Sequence, residues 1–203
     1  MTYNTDLITD EAFIQGLNLK LASINLDYNL ITANKEWTVH LASKNDLIAT
    51  LELLKNDPEL DFAVLADLCG CDFIAREQRF ELNYHLLSIT KNKRIRLKVK
   101  FAFGEKVESV AILYSTACWF EREAFDMFGI EFLNAPDHRR ILTDYNFVGF
   151  PLRKDFPLSG FKEIKYSKTE NKIIETDVEM IQEYRDFDFE MPWNGVMQKV
   201  KQN

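Results

Sequence analysis

The stretch "RFELNYHLLSITKNKRIRLKVKFAF", residues 79–103, constrains the fold more than any other. In its first half Phe80, Leu82, Tyr84 and Leu86 alternate with Glu81, Asn83 and His85. In its second half Ile95, Leu97, Val99, Phe101 and Phe103 alternate with Arg94, Arg96, Lys98 and Lys100. Successive side chains of a strand point to opposite faces, so a period of two writes one apolar and one polar face. "TKNK", residues 90–93, supplies the turn between the two strands, and "VAILY" at 110–114 is expected to add a third. The result is an antiparallel meander with one wet face, whose dry face requires a covering layer.

Helices for that layer are legible on both sides. Phe13, Leu17 and Leu21 recur at a spacing of four between Asp10, a fitting N-cap, and Ser23. "EWTVHLAS", residues 36–43, places Trp37, Val39 and Leu41 on one side of a strand and His40 on the other. A second helix begins near Asp46, gathers Leu47, Ile48, Leu51 and Leu54 on one face, and is stopped by "NDP" at 56–58. From Phe62 to Phe73 the chain is apolar and enters the sheet. Cys69 and Cys71 are expected there as small core residues around Gly70. The predicted fold class is α+β, a two-layer sandwich of a mainly antiparallel sheet and covering helices. Residues 1–133 form its globular domain and 134–203 a long extended C-terminal tail.

The tail holds four of the five prolines, Pro136, Pro151, Pro157 and Pro192, and no period lasts in it. Its aromatic residues, from Tyr145 and Phe147 to Phe189 and Trp193, are too many for a solvated segment. A long aperiodic, aromatic segment is reconciled by ordering against another protein, and aromatic anchors with arginines are what interface cores favour. "RRILTDYNFVGFPLRKDFPLSG" therefore reads as a docking strap.

"CWFEREAFDMFGIEF", residues 118–132, sets charges among aromatic residues. A helix from Thr116, as cap, through Phe128, with Gly129 in the left-handed C-terminal position, is apolar nearly all round and hence buried. Its charges Glu121, Arg122, Glu123 and Asp126 must then be paired, since an isolated buried charge costs several kcal/mol. Arg122 and Asp126 stand at i, i+4. Glu121 and Glu123 look for cations among Arg139, Arg140, Arg153 and Lys154, or on another chain. A carboxylate catalytic or di-metal site is disfavoured, because Glu121 and Glu123 point about 200° apart on a helix and no E-x-x-H pairing is present.

Other chemistries fare worse. Cys69, Cys71 and Cys118 give no C-x-x-C knuckle, and His40, His85 and His138 are scattered in sequence, so no metal site is expected. A net charge of −7 opposes wholesale nucleic-acid or anionic-membrane binding. The stripe Arg94, Arg96, Lys98 and Lys100 lacks aromatic stacking partners and reads as a solvated strand face. The N-terminus carries no basic, apolar leader pattern and no segment has the roughly 20 apolar residues of a membrane span, which points to a reducing cytoplasm.

"WFEREAFDMFGIEF" followed by "PDHRRILTDYNFVGFPLRKDFPLSG", together with "RFELNYHLLS", "RIRLKVKF" and "FDFEMPW", closely resembles the C subunit family of the proton-pumping NADH:quinone oxidoreductase, respiratory complex I. The resemblance covers most of residues 60–193. It implies a non-catalytic peripheral-arm subunit that binds no flavin, iron–sulfur cluster or quinone itself, within a complex that uses FMN, iron–sulfur clusters, NADH and quinone. Its implied partners are the hydrogenase-like subunit that helps form the quinone chamber and neighbouring cluster-bearing subunits. Its implied place is peripheral, at the cytoplasmic face of the inner cell membrane, or the matrix face in an organelle. Carried residue by residue, partner binding falls to Glu121, Arg122, Glu123 and Asp126 on the charged helix and to Arg139, Arg140, Arg153, Lys154 and Asp155 on the strap. The family usually has Leu where His138 stands, so His138 inherits no role. The alternative is a soluble adaptor or weak nucleic-acid-binding module using the basic strand 94–100.

Overall fold

A computed structural model describes residues 11–24, 26–33 and 36–178. The expected cap Asp10 and the residues beyond 178, Phe189, Pro192 and Trp193 among them, lie outside these. In chain order the elements are α1 (Glu11–Ser23), β1 (Tyr28–Ala33), β2 (Glu36–Leu41), α2 (Leu47–Asn56), β3 (Val64–Asp72), β4 (Phe80–Ser88), β5 (Lys93–Phe101), β6 (Val107–Glu108), α3 (Ala117–Phe128), β7 (Phe132–Leu133), β8 (Lys162–Ser167) and β9 (Lys172–Asp177).

Five strands make one sheet in the order β1-β2-β5-β4-β3. The period-two stretch forms the β4–β5 pair, in which Leu82 lies opposite Val99, Tyr84 opposite Leu97 and Leu86 opposite Ile95, all buried. On the outer side of β4 the antiparallel partner is β3, and beside β5 runs β2 in parallel. Helices cover the apolar face. Phe13 of α1 stacks on Trp37 of β2 with ring centroids 5.1 Å apart. The end of α3 comes so close to β3 that a Cβ on Gly70 would stand 2.8 Å from the Phe128 ring. Gly70 is thus the position where the sheet admits the helix.

Three expectations are corrected. Residues 110–114 are not a strand: the N–H groups of Leu113 and Tyr114 both donate to the Val110 carbonyl, closing a turn. The Val110 N–H, which a ladder would need, donates instead to Glu121, and the third meander strand is β3. Phe103 is exposed because the chain turns away after Phe101, with Gly104 at φ 81. Cys69 is exposed and Cys71 half-buried. A bulge between Leu65 and Asp67 resets the alternation, so that Leu65 and Leu68 face the core while the two cysteines face outward.

The chain divides into two compact units between Leu158 and Ser159. Residues 134–158, read from sequence as part of the tail, cluster with the sheet and helices of the first unit. In the second unit β8 and β9 pair as an antiparallel hairpin with Ile164 opposite Glu175. Sequence periodicity missed this hairpin because it has no dry face: Ile164, Tyr166 and Ile173 are all exposed.

Candidate functional site

Helix α3 ends as its sequence dictates. Gly129 adopts φ 72, and its N–H donates to the Phe125 carbonyl at 2.8 Å. Its start differs from expectation. Thr116 is itself in the helical region and caps nothing with its side chain, because the turn at 110–116 already runs into the helix. Nor is α3 buried all round. Trp119, 62% exposed, and Glu123, at i, i+4, make an outward stripe, and the Arg122 guanidinium lies 5.3 Å from the indole centroid.

The expected Arg122–Asp126 pair does not form. Both residues turn to the segment 137–156, the strap, which is bonded to its own domain. Asp126 is fully buried. Its Oδ2 accepts the backbone N–H groups of Ile141, Leu142 and Thr143 at 3.0, 2.7 and 2.8 Å. Its Oδ1 accepts Arg140 Nη1 at 2.6 Å and the Thr143 hydroxyl at 2.5 Å. Burial pushes the carboxyl up, but the Thr143 hydroxyl and N–H, the Leu142 N–H and Arg140 outweigh it and hold it well below the ordinary carboxylate range. Arg140 also donates to the Gly149 carbonyl at 2.9 Å, and its guanidinium lies 5.3 Å from the Phe150 ring centroid. The Phe150 ring in turn sits beneath Gly129, where a Cβ would stand 2.7 Å from it.

Arg122 holds the strap's entrance. Nε and Nη2 donate to the carbonyls of Arg139 and Arg140 at 2.9 and 3.0 Å, and Nη1 stands 3.4 Å from Asp137. The strap's far end is held by a second buried carboxylate. Asp72 at the end of β3 receives Arg79 through two bonds of 2.7 Å and the Lys154 N–H at 2.7 Å. Arg79 reaches on to Asp155 at 3.1 Å, which is also gripped by Arg153. Between these anchors the Leu152 N–H donates to the Met127 carbonyl at 3.0 Å.

Among the described residues Glu121 finds no cation. Its oxygens accept the Ser109 hydroxyl and the Val110 N–H, each at 2.7 Å. Burial raises its pKa, and those two bonds oppose the rise without cancelling it. Nearby Tyr84 is completely buried and its hydroxyl has no hydrogen-bond partner among the described residues, and burial first, and the Glu121 charge second, push the phenol well above its usual value. Of the cations expected for Glu121, Arg140 is engaged with Asp126, Arg153 with Asp155, and Arg139, mostly exposed, with Asp137, while Lys154 gives its backbone N–H to Asp72.

The structure therefore brings Arg122, Asp126, Arg140, Arg153 and Asp155 together with the Lys154 backbone in one intrachain lock, and leaves Glu121 apart from it. Sequence reading missed Asp72, Arg79, Asp137 and Thr143. The signal available for Asp72 and Arg79 was an opposite-charge pair flanking the turn between two apolar strands. On the basic strand, Arg96 pairs with Glu36 at 2.5 Å and Lys98 with Glu81 at 2.8 Å, so half the stripe is neutralised within the chain.

Among the side chains the strap turns outward, beside Asp144 and Asn146, are three large apolar ones. Leu142, Tyr145 and Val148 are 63%, 72% and 81% exposed on a strap whose backbone is fixed from beneath. The fold and the site define an α+β domain with a strap locked to it by two buried carboxylates and exposing three large apolar side chains.

Comparison with known proteins gives this class a family. Residues 40–162 match the model of the family described as "Respiratory-chain NADH dehydrogenase, 30 Kd subunit". The chain is 46% identical over 170 residues to the C subunit of the NADH-quinone oxidoreductase of Hyphomonas neptunium, covering 81% of this chain and 84% of that one. It is 45% identical over 166 residues to the NADH-ubiquinone oxidoreductase subunit 9 of Reclinomonas americana, covering 82% and 81%. A chain from the solved structure of the membrane-bound sulfane sulfur reductase, an archaeal respiratory membrane complex, superposes with a TM-score of 0.61 at 20% identity, over 86% of this chain and 98% of that one, and shares its fold. The protein belongs to the family of the 30 Kd subunit of respiratory-chain NADH dehydrogenase, complex I.

Proposed function

We propose that this chain is a non-catalytic assembly subunit in the peripheral arm of NADH:quinone oxidoreductase, and that its strap docks on the hydrogenase-like subunit and on cluster-bearing neighbours. The observation that carries the reading is the strap itself. Its backbone at 141–143 is fixed on a buried carboxylate while Leu142, Tyr145 and Val148 face solvent. A segment already ordered in the free protein binds without the entropy cost of ordering it, and exposed aromatic and aliphatic anchors supply the contact. In this role FMN, the clusters, NADH and quinone are held by other subunits, and this chain supports electron transfer and proton translocation by completing the arm. Among the described residues no helix is long and apolar enough to cross a membrane. In the proposed role the chain joins the membrane through its partners, on the cytoplasmic or matrix side.

A tagged full-length chain drawn from mildly solubilised membranes tests this. Co-purification of the hydrogenase-like and cluster-bearing subunits with NADH-driven quinone reduction is the expected result. Recovery of the chain alone, or with partners that oxidise a different donor, overturns it.

A further inference from the structure

On the sheet face away from the helices, three side chains of ligand type meet. His85 of β4 lies opposite Asp67 of β3 in the antiparallel register. Cys69 stands two residues further along β3, on the same face, because strand side chains repeat every second residue. A carboxylate oxygen of Asp67, the sulfur of Cys69 and an imidazole nitrogen of His85 all lie within 4.8 Å of one another. The bulge between Leu65 and Asp67 is what creates the cluster, by turning Asp67 out of the core and toward His85.

We propose that Asp67, Cys69 and His85 bind one divalent transition-metal ion of the zinc type, with three protein ligands and a fourth position open to water. The donor set selects the metal class: thiolate with imidazole favours zinc or cobalt, whereas magnesium and calcium take oxygen cages. Zinc bonds of about 2.3 Å to sulfur and about 2.0–2.1 Å to nitrogen require the three atoms to close by roughly 1 Å. Half-exposed side chains on a strand surface accomplish this by rotamer adjustment. Charge is matched, since a carboxylate and a thiolate neutralise a divalent ion. Two cations border the site. Arg96 lies opposite His85 in the register and Lys98 one pair further on, and both already pair with acids, Glu36 and Glu81. Binding as thiolate displaces the Cys69 thiol proton to solvent. Cys71 accepts a hydrogen bond from Asn83 at 3.4 Å and is not required.

Cobalt(II), a zinc surrogate with visible spectra, tests the site on the reduced full-length chain near neutral pH. One equivalent should produce a thiolate-to-cobalt charge-transfer band and the intense visible bands of a tetrahedral ion, both erased by zinc. Cys69→Ser should abolish the charge-transfer band, and His85→Gln should weaken binding about tenfold or more, while Cys118→Ser leaves the spectrum unchanged. The absence of any charge-transfer band overturns the proposal. So does a band that persists in Cys69→Ser or disappears in Cys118→Ser. Circular dichroism of each variant confirms that the fold is retained, as the exposed position of Cys69 leads us to expect.

Discussion

Arg140 meets the fully buried Asp126 at 2.6 Å, and through that pair the strap is fastened to α3. Removing Asp126 takes the counter-charge from the Arg140 guanidinium, which keeps the Gly149 carbonyl and the Thr143 hydroxyl, and leaves three consecutive N–H groups without their acceptor. We predict that Asp126→Ala costs about 3–5 kcal/mol, the range for breaking a buried pair. Arg140→Met should couple to it in a double-mutant cycle by about 1–3 kcal/mol. Urea unfolding of the full chain measures both, and a loss below about 1 kcal/mol for Asp126→Ala would show that the strap is held by other means.

Two buried carboxyls of α3 should give opposite pH dependences. Asp126 has a folded pKa below its unfolded value, so the stability it contributes is complete above about pH 5 and drains away as acid titrates it. Glu121 has a folded pKa above its unfolded value, so its contribution is present below about pH 4 and is lost as pH rises through the folded pKa. Urea midpoints between about pH 3 and pH 8 should therefore fall less steeply toward acid in Asp126→Asn than in wild type. The stability of Glu121→Gln relative to wild type should rise with pH. Parallel curves for all three proteins would contradict both assignments.

Gly129 and Gly104 separate backbone strain from packing. Both have positive φ, 72 and 81, but a Cβ at Gly129 meets the Phe150 ring at 2.7 Å whereas one at Gly104 meets nothing within 4 Å. Gly129→Ala and Gly104→Ala should share a backbone penalty of about 1 kcal/mol or more, with Gly129→Ala worse by roughly 1–3 kcal/mol of overpacking against Phe150. Equal thermal shifts in the two variants would mean that Phe150 yields freely.

Tyr84 carries its hydroxyl into the core without a hydrogen-bond partner among the described residues. An unsatisfied buried hydroxyl costs free energy, so Tyr84→Phe should be neutral or stabilise by up to about 1–2 kcal/mol. Destabilisation beyond about 1 kcal/mol would show that the hydroxyl is bonded in solution.

The parts of the fold that bury one face were legible in the sequence. The alternation at 80–86 and 95–101 gave the central pair and its dry face, although Glu81 and Asn83, expected on a wet face, are buried as well, and Gly129 gave the end of α3. Elements without a dry face were not: β8 and β9 expose Ile164, Tyr166 and Ile173, and periodicity has nothing to detect there. "VAILY" failed for a different reason, since a distant carboxylate, Glu121, takes the Val110 N–H that a strand would have used. At the site, sequence identified charges that had to be paired but chose the nearest partner. Arg122 and Asp126 stand one turn apart, yet each gains more by facing the strap, where backbone N–H and carbonyl groups otherwise left without partners are available to both. Tertiary satisfaction of the backbone outranked the local i, i+4 pair, which is worth only about 0.2–0.5 kcal/mol.

In the proposed role the outward face of the locked strap docks on other subunits of the oxidoreductase. Asp126 and Arg140 are unsuitable for testing it, because their loss damages the domain itself. Val148, 81% exposed, is suitable. The measurement is assembled complex, by native gel with NADH-driven quinone reduction, in cells carrying Val148→Asp together with Tyr145→Glu, alongside urea unfolding of the purified double variant. The account predicts unchanged stability of the chain and loss of most assembled complex and activity. Wild-type amounts of active complex would contradict it.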